Sequence, residues 1–278
     1  MITRCPPEPL RDLLGCLFAL SAGGGSRVRT VPDGCASIII ELTPGESSKW
    51  VEMPVSRRLT ALRAAEPRNR RPTSKCLIGG PRLQPACYEP PAMTDVIGVR
   101  LNPGTAFALI GRPVCGIVDH RERLADLIGS AATNLETQMA RAESVEARFD
   151  VLECFLIERL GAARIDSRVT KALGRIAELA GEARLADVAH QCGISLRQLE
   201  RLMLRWVGIS PKRLARIARF QALLGAVAEA PPPLWTPLAA EHYADQSQLI
   251  REFTEFAGKS PRRYFADRPA DSKVARCP

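Results

Sequence analysis

Arg197, Arg201 and Arg205 stand at i, i+4 and i+8 in one short stretch, with Glu200 between the first two. On a helix that spacing makes a single row of guanidinium groups. Like charges at i, i+4 cost an isolated helix about 0.2–0.5 kcal/mol per pair, so the row suits an anion laid against it. Arginine pairs bidentately with guanine O6 and N7, and a carboxylate either accepts from cytosine N4 or neutralises a neighbouring arginine. The segment also recurs. Ser195-Leu196-Arg197-Gln198-Leu199-Glu200-Arg201 aligns with Asp245-Gln246-Ser247-Gln248-Leu249-Ile250-Arg251, and Gly208-Ile209-Ser210-Pro211 with Gly258-Lys259-Ser260-Pro261, all at an offset of 50 residues. In the second copy Gln246, Ser247 and Arg251 can hydrogen-bond base edges, whereas Ile250 offers only apolar contact, to a thymine methyl or to a core. A duplicated helical unit carrying such residues is a candidate pair of helix-turn-helix units, in which the early residues of each second helix reach the major groove.

The elements that would position these side chains are legible around them. Leu185, Val188 and Ala189 mark the buried side of a scaffold helix, Gly193 suits a tight left-handed turn, and Ser195 with Gln198 forms a capping box that starts the next helix. Leu199, Leu202, Met203 and Trp206 then form its packed face. In the second copy Thr236 and Pro237 fit an N-cap and first helical residue, Leu238, Ala239 and Tyr243 continue a short scaffold helix, and Asp245 with Gln248 repeats the cap. Leu249, Phe253 and Phe256 make the buried stripe of the helix that follows. Residues 212–224 predict a linking helix with Ile217 and Phe220 inward; its Arg213, Arg216 and Arg219 face either phosphate or solvent.

The first half of the chain is expected to be mostly β, with strands at 36–42, 49–53, 76–78 and 95–101 between Pro- and Gly-rich turns and a basic loop at 64–75. Helical periodicity appears at 105–110, 124–139, 145–160 and 167–180. The domain boundary is placed near 163, giving an effector-sensing or dimerisation domain (1–163), a DNA-binding domain (164–266, with units at about 184–206 and 236–256) and a loose tail (267–278). The fold class is α+β, with an all-α C-terminal part. A formal charge of +9 favours an anionic partner, and residues 184–265 carry 12 Lys/Arg against 7 Asp/Glu.

Nine scattered cysteines, an odd number with no C-x-x-C pair, read as free thiols in a reducing cytoplasm. The apolar run at 13–20 is too short to span a membrane, and the Pro-rich segment before it, with Glu8 and Asp12, suits neither a signal nor an anchor. No G-x-S-x-G, phosphate-binding loop or H-E-x-x-H is present, and His120, His190 and His242 are isolated, so neither catalysis nor a metal or cofactor is expected. Cys35 reads as a packed thiol, its alternative being an oxidant or alkylation sensor. The rival functions are a thiol-dependent enzyme using Cys35 or another thiol with His120 as base, and a helical interaction module that binds no DNA.

The Leu-Ala helix, turn and cap, then Gly-x-Ser-Pro, then Tyr243-Ala244-Asp245-Gln246-Ser247-Gln248-Leu249-Ile250-Arg251-Glu252-Phe253 and Gly258-Lys259-Ser260-Pro261, resemble the AraC/XylS family of bacterial transcription regulators over residues 166–265. The resemblance implies two helix-turn-helix units joined by a central helix, with recognition helices in successive major-groove segments. It places base-reading positions on Arg197, Glu200, Arg201, Gln246, Ser247, Ile250 and Arg251; Arg205 joins them from the arginine row. His242 departs from the family's usual glycine before the second turn. Val31 to Cys35 and Val96 to Gly104 more faintly resemble sensor domains of such regulators, implying a small β-barrel-like domain. The expected partners are double-stranded promoter DNA and RNA polymerase, with no membrane; a small-molecule effector and a homodimer stay open. The function so implied is a cytoplasmic regulator, an activator among the readings.

Overall fold

Alternation of burial along residues 36–40 shows how the first half is built: Ile38 and Ile40 are fully buried while Ser37 and Ile39 are half-exposed, the period-2 signature of a strand with one face on a core. The structure, a computed structural model, describes residues 1–22, 28–43, 51–53, 73–89, 94–229, 243 and 245–266. Its strands are β1 (Ile2–Arg4), β2 (Leu14–Ala22), β3 (Val28–Thr30), β4 (Ala36–Thr43), β5 (Val51–Met53), β6 (Thr73–Gly79), β7 (Ala86–Glu89), β8 (Thr94–Leu101) and β9 (Arg121–Arg123). Six of them form one antiparallel sheet in the order β1-β2-β8-β4-β6-β9, and β3-β7-β5 form a second. In the main sheet Ile38 pairs with Val99 on one side and Ile78 on the other, so β-branched residues share the buried face.

The expected barrel-like closure is not what the strands make. The main sheet is open among the described residues, ending at the three-residue edges β1 and β9. Helices supply the core that a barrel would enclose: α1 (Thr105–Ile110), α2 (Leu124–Ile128), α3 (Ser130–Arg141) and α4 (Val145–Leu160) bring Leu109, Leu135, Met139, Phe149, Leu152 and Leu156 against Ile38, Ile40, Ile78 and Val99. Edge β1 is tied to α4 by Arg4, 2.6 Å from Asp150. The apolar run at 13–20, read only as too short for a membrane, is β2, bulged between Leu14 and Leu17. The helical stretch expected at 124–139 is two helices, broken at Gly129. Most of the basic loop expected at 64–75, and the scaffold residues Thr236, Pro237, Leu238, Ala239 and His242, lie outside the described residues; Thr73 to Lys75 belong to β6.

A second hydrophobic cluster begins at Val169, past the end of α4. It is built from α5 (Ser167–Glu178), α6 (Leu185–Gln191), α7 (Leu196–Trp206), α8 (Pro211–Glu229), α9 (Gln246–Ala257) and α10 (Pro261–Ala266). Phe220 of α8 lies between Phe253 and Phe256 of α9, with ring centroids at 5.2 and 5.4 Å. No helix among the described residues is long and apolar enough to cross a membrane.

Candidate nucleic-acid interface

The start of α7 is fixed by local chemistry. Ser195 Oγ accepts from the Gln198 N–H, and Gln198 Oε1 accepts from the Ser195 N–H at 2.8 Å, so the capping box is complete. Before it, Gly193 takes φ of +67° in the turn after α6. Leu199 and Met203 are buried on the second core, with Leu202 and Trp206 half-buried beside them. That leaves Arg197, Glu200 and Arg201 exposed on the opposite face. The start of α9 repeats the first of these bonds: Asp245 Oδ1 accepts from the Gln248 N–H at 2.7 Å, Leu249, Phe253 and Phe256 are buried, and Gln246, Ser247 and Arg251 are exposed. Ile250 is 43% exposed, on the outer side rather than in the core.

The arginines of this half fall into two groups. Arg213, Arg216 and Arg219 of α8 are half-buried and turned toward carboxylates of α9. Arg216 donates to Glu252 at 2.7 Å and also to Glu255, Arg213 pairs with Glu255, and Arg219 lies 3.7 Å from Glu252. Both Arg213 and Arg216 also stack over the Phe256 ring, at 4.8 and 5.2 Å. Burial would raise the Glu255 carboxyl, but the hydrogen bonds from Arg213 and Arg216 outweigh it and hold it below its ordinary value. Burial alone would lower Arg216; its bonds to Glu252 and Glu255 raise it. By contrast Arg197, Arg201 and Arg251 form no ion pair among the described residues, nor does Glu200. Arg205 continues the α7 row but its guanidinium lies over the Phe107 ring of α1, 5.1 Å from the centroid. It is an exposed residue with a partner in the N-terminal half, unlike the two arginines before it.

The sequence did not reveal the joint that carries Arg205. The far end of α7 packs on α1 and on the 3-10 turn Val114–Ile117: Trp206 stacks with Phe107, and Gly208 approaches Val114 and Val118. Gln221 of α8 donates to the Pro32 carbonyl at 2.6 Å, and Arg213 to the Leu83 carbonyl at 2.8 Å. Arg197, Glu200, Arg201, Gln246, Ser247, Ile250 and Arg251 are exposed with these contacts in place.

Cys35 lies three residues after Pro32 in a setting that favours the protonated thiol. Burial, with the Asp33 carboxylate adding to it, pushes its thiol up to about 12, against the opposing pull of Arg100, whose guanidinium lies 3.1 Å from Asp33. Among the described residues no three His, Cys, Asp or Glu side chains converge to hold a metal.

A family model described as a domain of unknown function, DUF6597, matches residues 3–123. No curated protein sequence matches the chain. Among solved structures, apo ToxT from Vibrio cholerae is similar at a TM-score of 0.45 and 11% identity, covering 90% of this chain and 96% of that one. A second ToxT structure gives 0.43 and 10%, over 90% and 97%. The AraC-like transcriptional activator CuxR is similar at 0.26 and 17%, over 78% of each chain.

Proposed function

We propose that this chain is a sequence-specific DNA-binding regulator of transcription, of the AraC type, which lays α7 and α9 into adjacent major-groove segments of promoter DNA. The observation that carries the reading is the sorting of its arginines. Those of the linking helix α8 are paired with Glu252 and Glu255, while Arg197, Arg201 and Arg251 are exposed and form no ion pair among the described residues, on capped helices whose opposite faces are buried. An exposed guanidinium row with no internal anion is matched by phosphate oxygens and guanine edges. In this reading Arg197, Glu200 and Arg201 read bases from the first unit, and Gln246, Ser247, Ile250 and Arg251 from the second. Arg205 flanks them beside Phe107. Residues 164–266 form the DNA-binding part, and residues 1–163 govern it, through an effector or a second copy. RNA polymerase is the partner on which such a regulator acts, as an activator, in the cytoplasm.

The test is binding of the full chain to genomic fragments upstream of its own gene at moderate salt, against random competitor. Arg197→Ala and Arg251→Ala should each cost about 1–3 kcal/mol at particular base pairs, and loss of a phosphate contact should weaken all sequences alike and flatten the salt dependence. A chain that prefers no fragment over competitor, or variants that bind as the parent does, would overturn the reading.

A further inference from the structure

The two recognition helices differ in kind at one outward position. Glu200 is the fifth residue of α7 and Ile250 the fifth residue of α9, equivalent at the 50-residue offset. Both are exposed, and each stands beside an arginine at the next position, Arg201 and Arg251. The caps that set the two helices share one bond, Ser195 and Asp245 each accepting from the N–H three residues on. With equivalent positions outward on the two helices, the change from carboxylate to branched alkyl is, in the DNA-binding reading, a change in what is read.

A carboxylate laid against a polyanion is repelled by phosphates, and only a hydrogen-bond donor on a base edge compensates it. Glu200 makes no ion pair among the described residues, so its charge is not spent on Arg197 or Arg201. In the major groove the pyrimidine with a donor is cytosine, through N4; thymine shows O4 and a methyl group, one repelling the carboxylate and the other leaving it unsolvated. Adenine also donates, through N6, but sets the N7 acceptor beside it against the second carboxylate oxygen. Ile250 inverts every term. It satisfies no donor, so a cytosine amino group against it loses its water without gaining a partner, whereas the thymine methyl gains apolar contact.

We infer that position 200 and its repeat equivalent 250 give the two half-sites opposite pyrimidine preferences, Glu200 selecting cytosine and Ile250 selecting thymine. The inference rests on the DNA-binding reading above and adds to it which base each helix asks for.

The full chain is used to select duplexes from a random-sequence pool, and Ile250→Glu and Glu200→Ile are put through the same selection. Ile250→Glu should replace a thymine by a cytosine at one position of one half-site and leave the other half-site unchanged. Glu200→Ile should make the converse change in the other. In the duplex chosen by the parent chain, deoxyuridine in place of that thymine removes only the methyl group and should weaken binding about three- to fivefold. The same replacement should cost nothing with Ile250→Ala. Selected sequences that keep their pyrimidines in both swapped variants, or a deoxyuridine duplex bound as tightly as the thymine one at every position, overturn the inference while leaving DNA binding intact. A pool from which the parent chain enriches nothing overturns the DNA-binding reading, and the pyrimidine assignment with it.

Discussion

The Phe107 ring of α1 lies 4.2 Å from the Trp206 ring at the end of α7, centroid to centroid and tilted by 41°. The Arg205 guanidinium covers the same Phe107 ring, so three side chains close one contact between the sheet-and-helix half and the helix that carries Arg197 and Arg201. The two ends of α7 thereby have different surroundings: its capped start is open, and its last turn is held by residues of the other half. An aromatic pair of this geometry contributes about 0.5–1.5 kcal/mol beyond the area it buries. Phe107→Ala and Trp206→Ala should therefore be less costly together than the sum of the two separately, by about that amount, in a double-mutant cycle measured by urea unfolding. Strict additivity would mean that the rings do not act on each other.

Gly208 ends α7 with φ of +82°, and a Cβ there would meet Val118 Cγ2 at 2.9 Å and both the Val114 carbonyl oxygen and Val114 Cγ1 at 3.0 Å. Gly193 also has a positive φ, +67°, yet a Cβ there would meet nothing within 4 Å. The two glycines separate backbone strain from close approach. Gly193→Ala should cost about 1 kcal/mol, the left-handed conformation alone. Gly208→Ala should cost about 2–4 kcal/mol, because the backbone oxygen of Val114 cannot rotate away. Equal losses in thermal or denaturant unfolding would show that α7 can leave the 3-10 turn without penalty.

Removing a charge should have opposite consequences in the two arginine groups. Glu252 is 4% exposed and faces both Arg216 and Arg219, so Glu252→Ala takes from Arg219 its carboxylate and leaves Arg216 with Glu255 alone, and should lower stability by roughly 2 kcal/mol. Arg197→Ala removes an exposed side chain with no ion pair among the described residues and should change stability by less than about 0.5 kcal/mol, while reducing DNA affinity. Unfolding and binding measured on the same two variants check the division; a DNA defect in Glu252→Ala at temperatures where it stays folded is expected too, since α9 would lose its seat on α8.

What the chain announced and what it withheld divide along the range of the interactions. The capping box at Ser195 and Gln198, the cap at Asp245 and the buried stripes of α7 and α9 depend on residues at most ten apart, and they stand where spacing put them. The fate of Arg213, Arg216 and Arg219 did not follow from their own helix, because Glu252 and Glu255 lie 36 and 39 residues beyond Arg216. Both glutamates were visible, but nothing local says that α9 turns them toward α8 rather than outward. The Phe107 and Trp206 contact is of the same kind, joining residues 99 apart whose own helices are satisfied without it. In the sheet, β4 and β8 carry strong β-branched runs and were legible, whereas the three-residue edges β1 and β9 are strands only because a neighbour pairs with them. Closure of the sheet into a barrel is likewise a property of those edges, and the helices that fill the core in its place carry no mark of that role in their periodicity.

Acid should loosen the α8 and α9 joint at a pH that the carboxylates fix. Hydrogen bonds from Arg213 and Arg216, working against burial, hold the Glu255 carboxyl below its ordinary value. At the head of α5 the Arg168 side chain, bonded to Asp166 at 2.6 Å, does the same for Asp166, with the Arg168 N–H adding to it. A carboxyl depressed in the folded chain contributes stability above its unfolded value, near 4.3 for Glu and 3.9 for Asp, and that contribution disappears as pH falls through the folded value. These two groups should therefore leave the melting temperature level between about pH 6 and 8, and lower it progressively below about pH 4. Glu255→Gln should melt lower than the parent at pH 7 and lose less on going to pH 3, because the neutral amide has no proton to take up. Melting followed by circular dichroism across that range checks the sign, and a Glu255→Gln variant whose decline is as steep as the parent's would show that acid acts elsewhere in the fold.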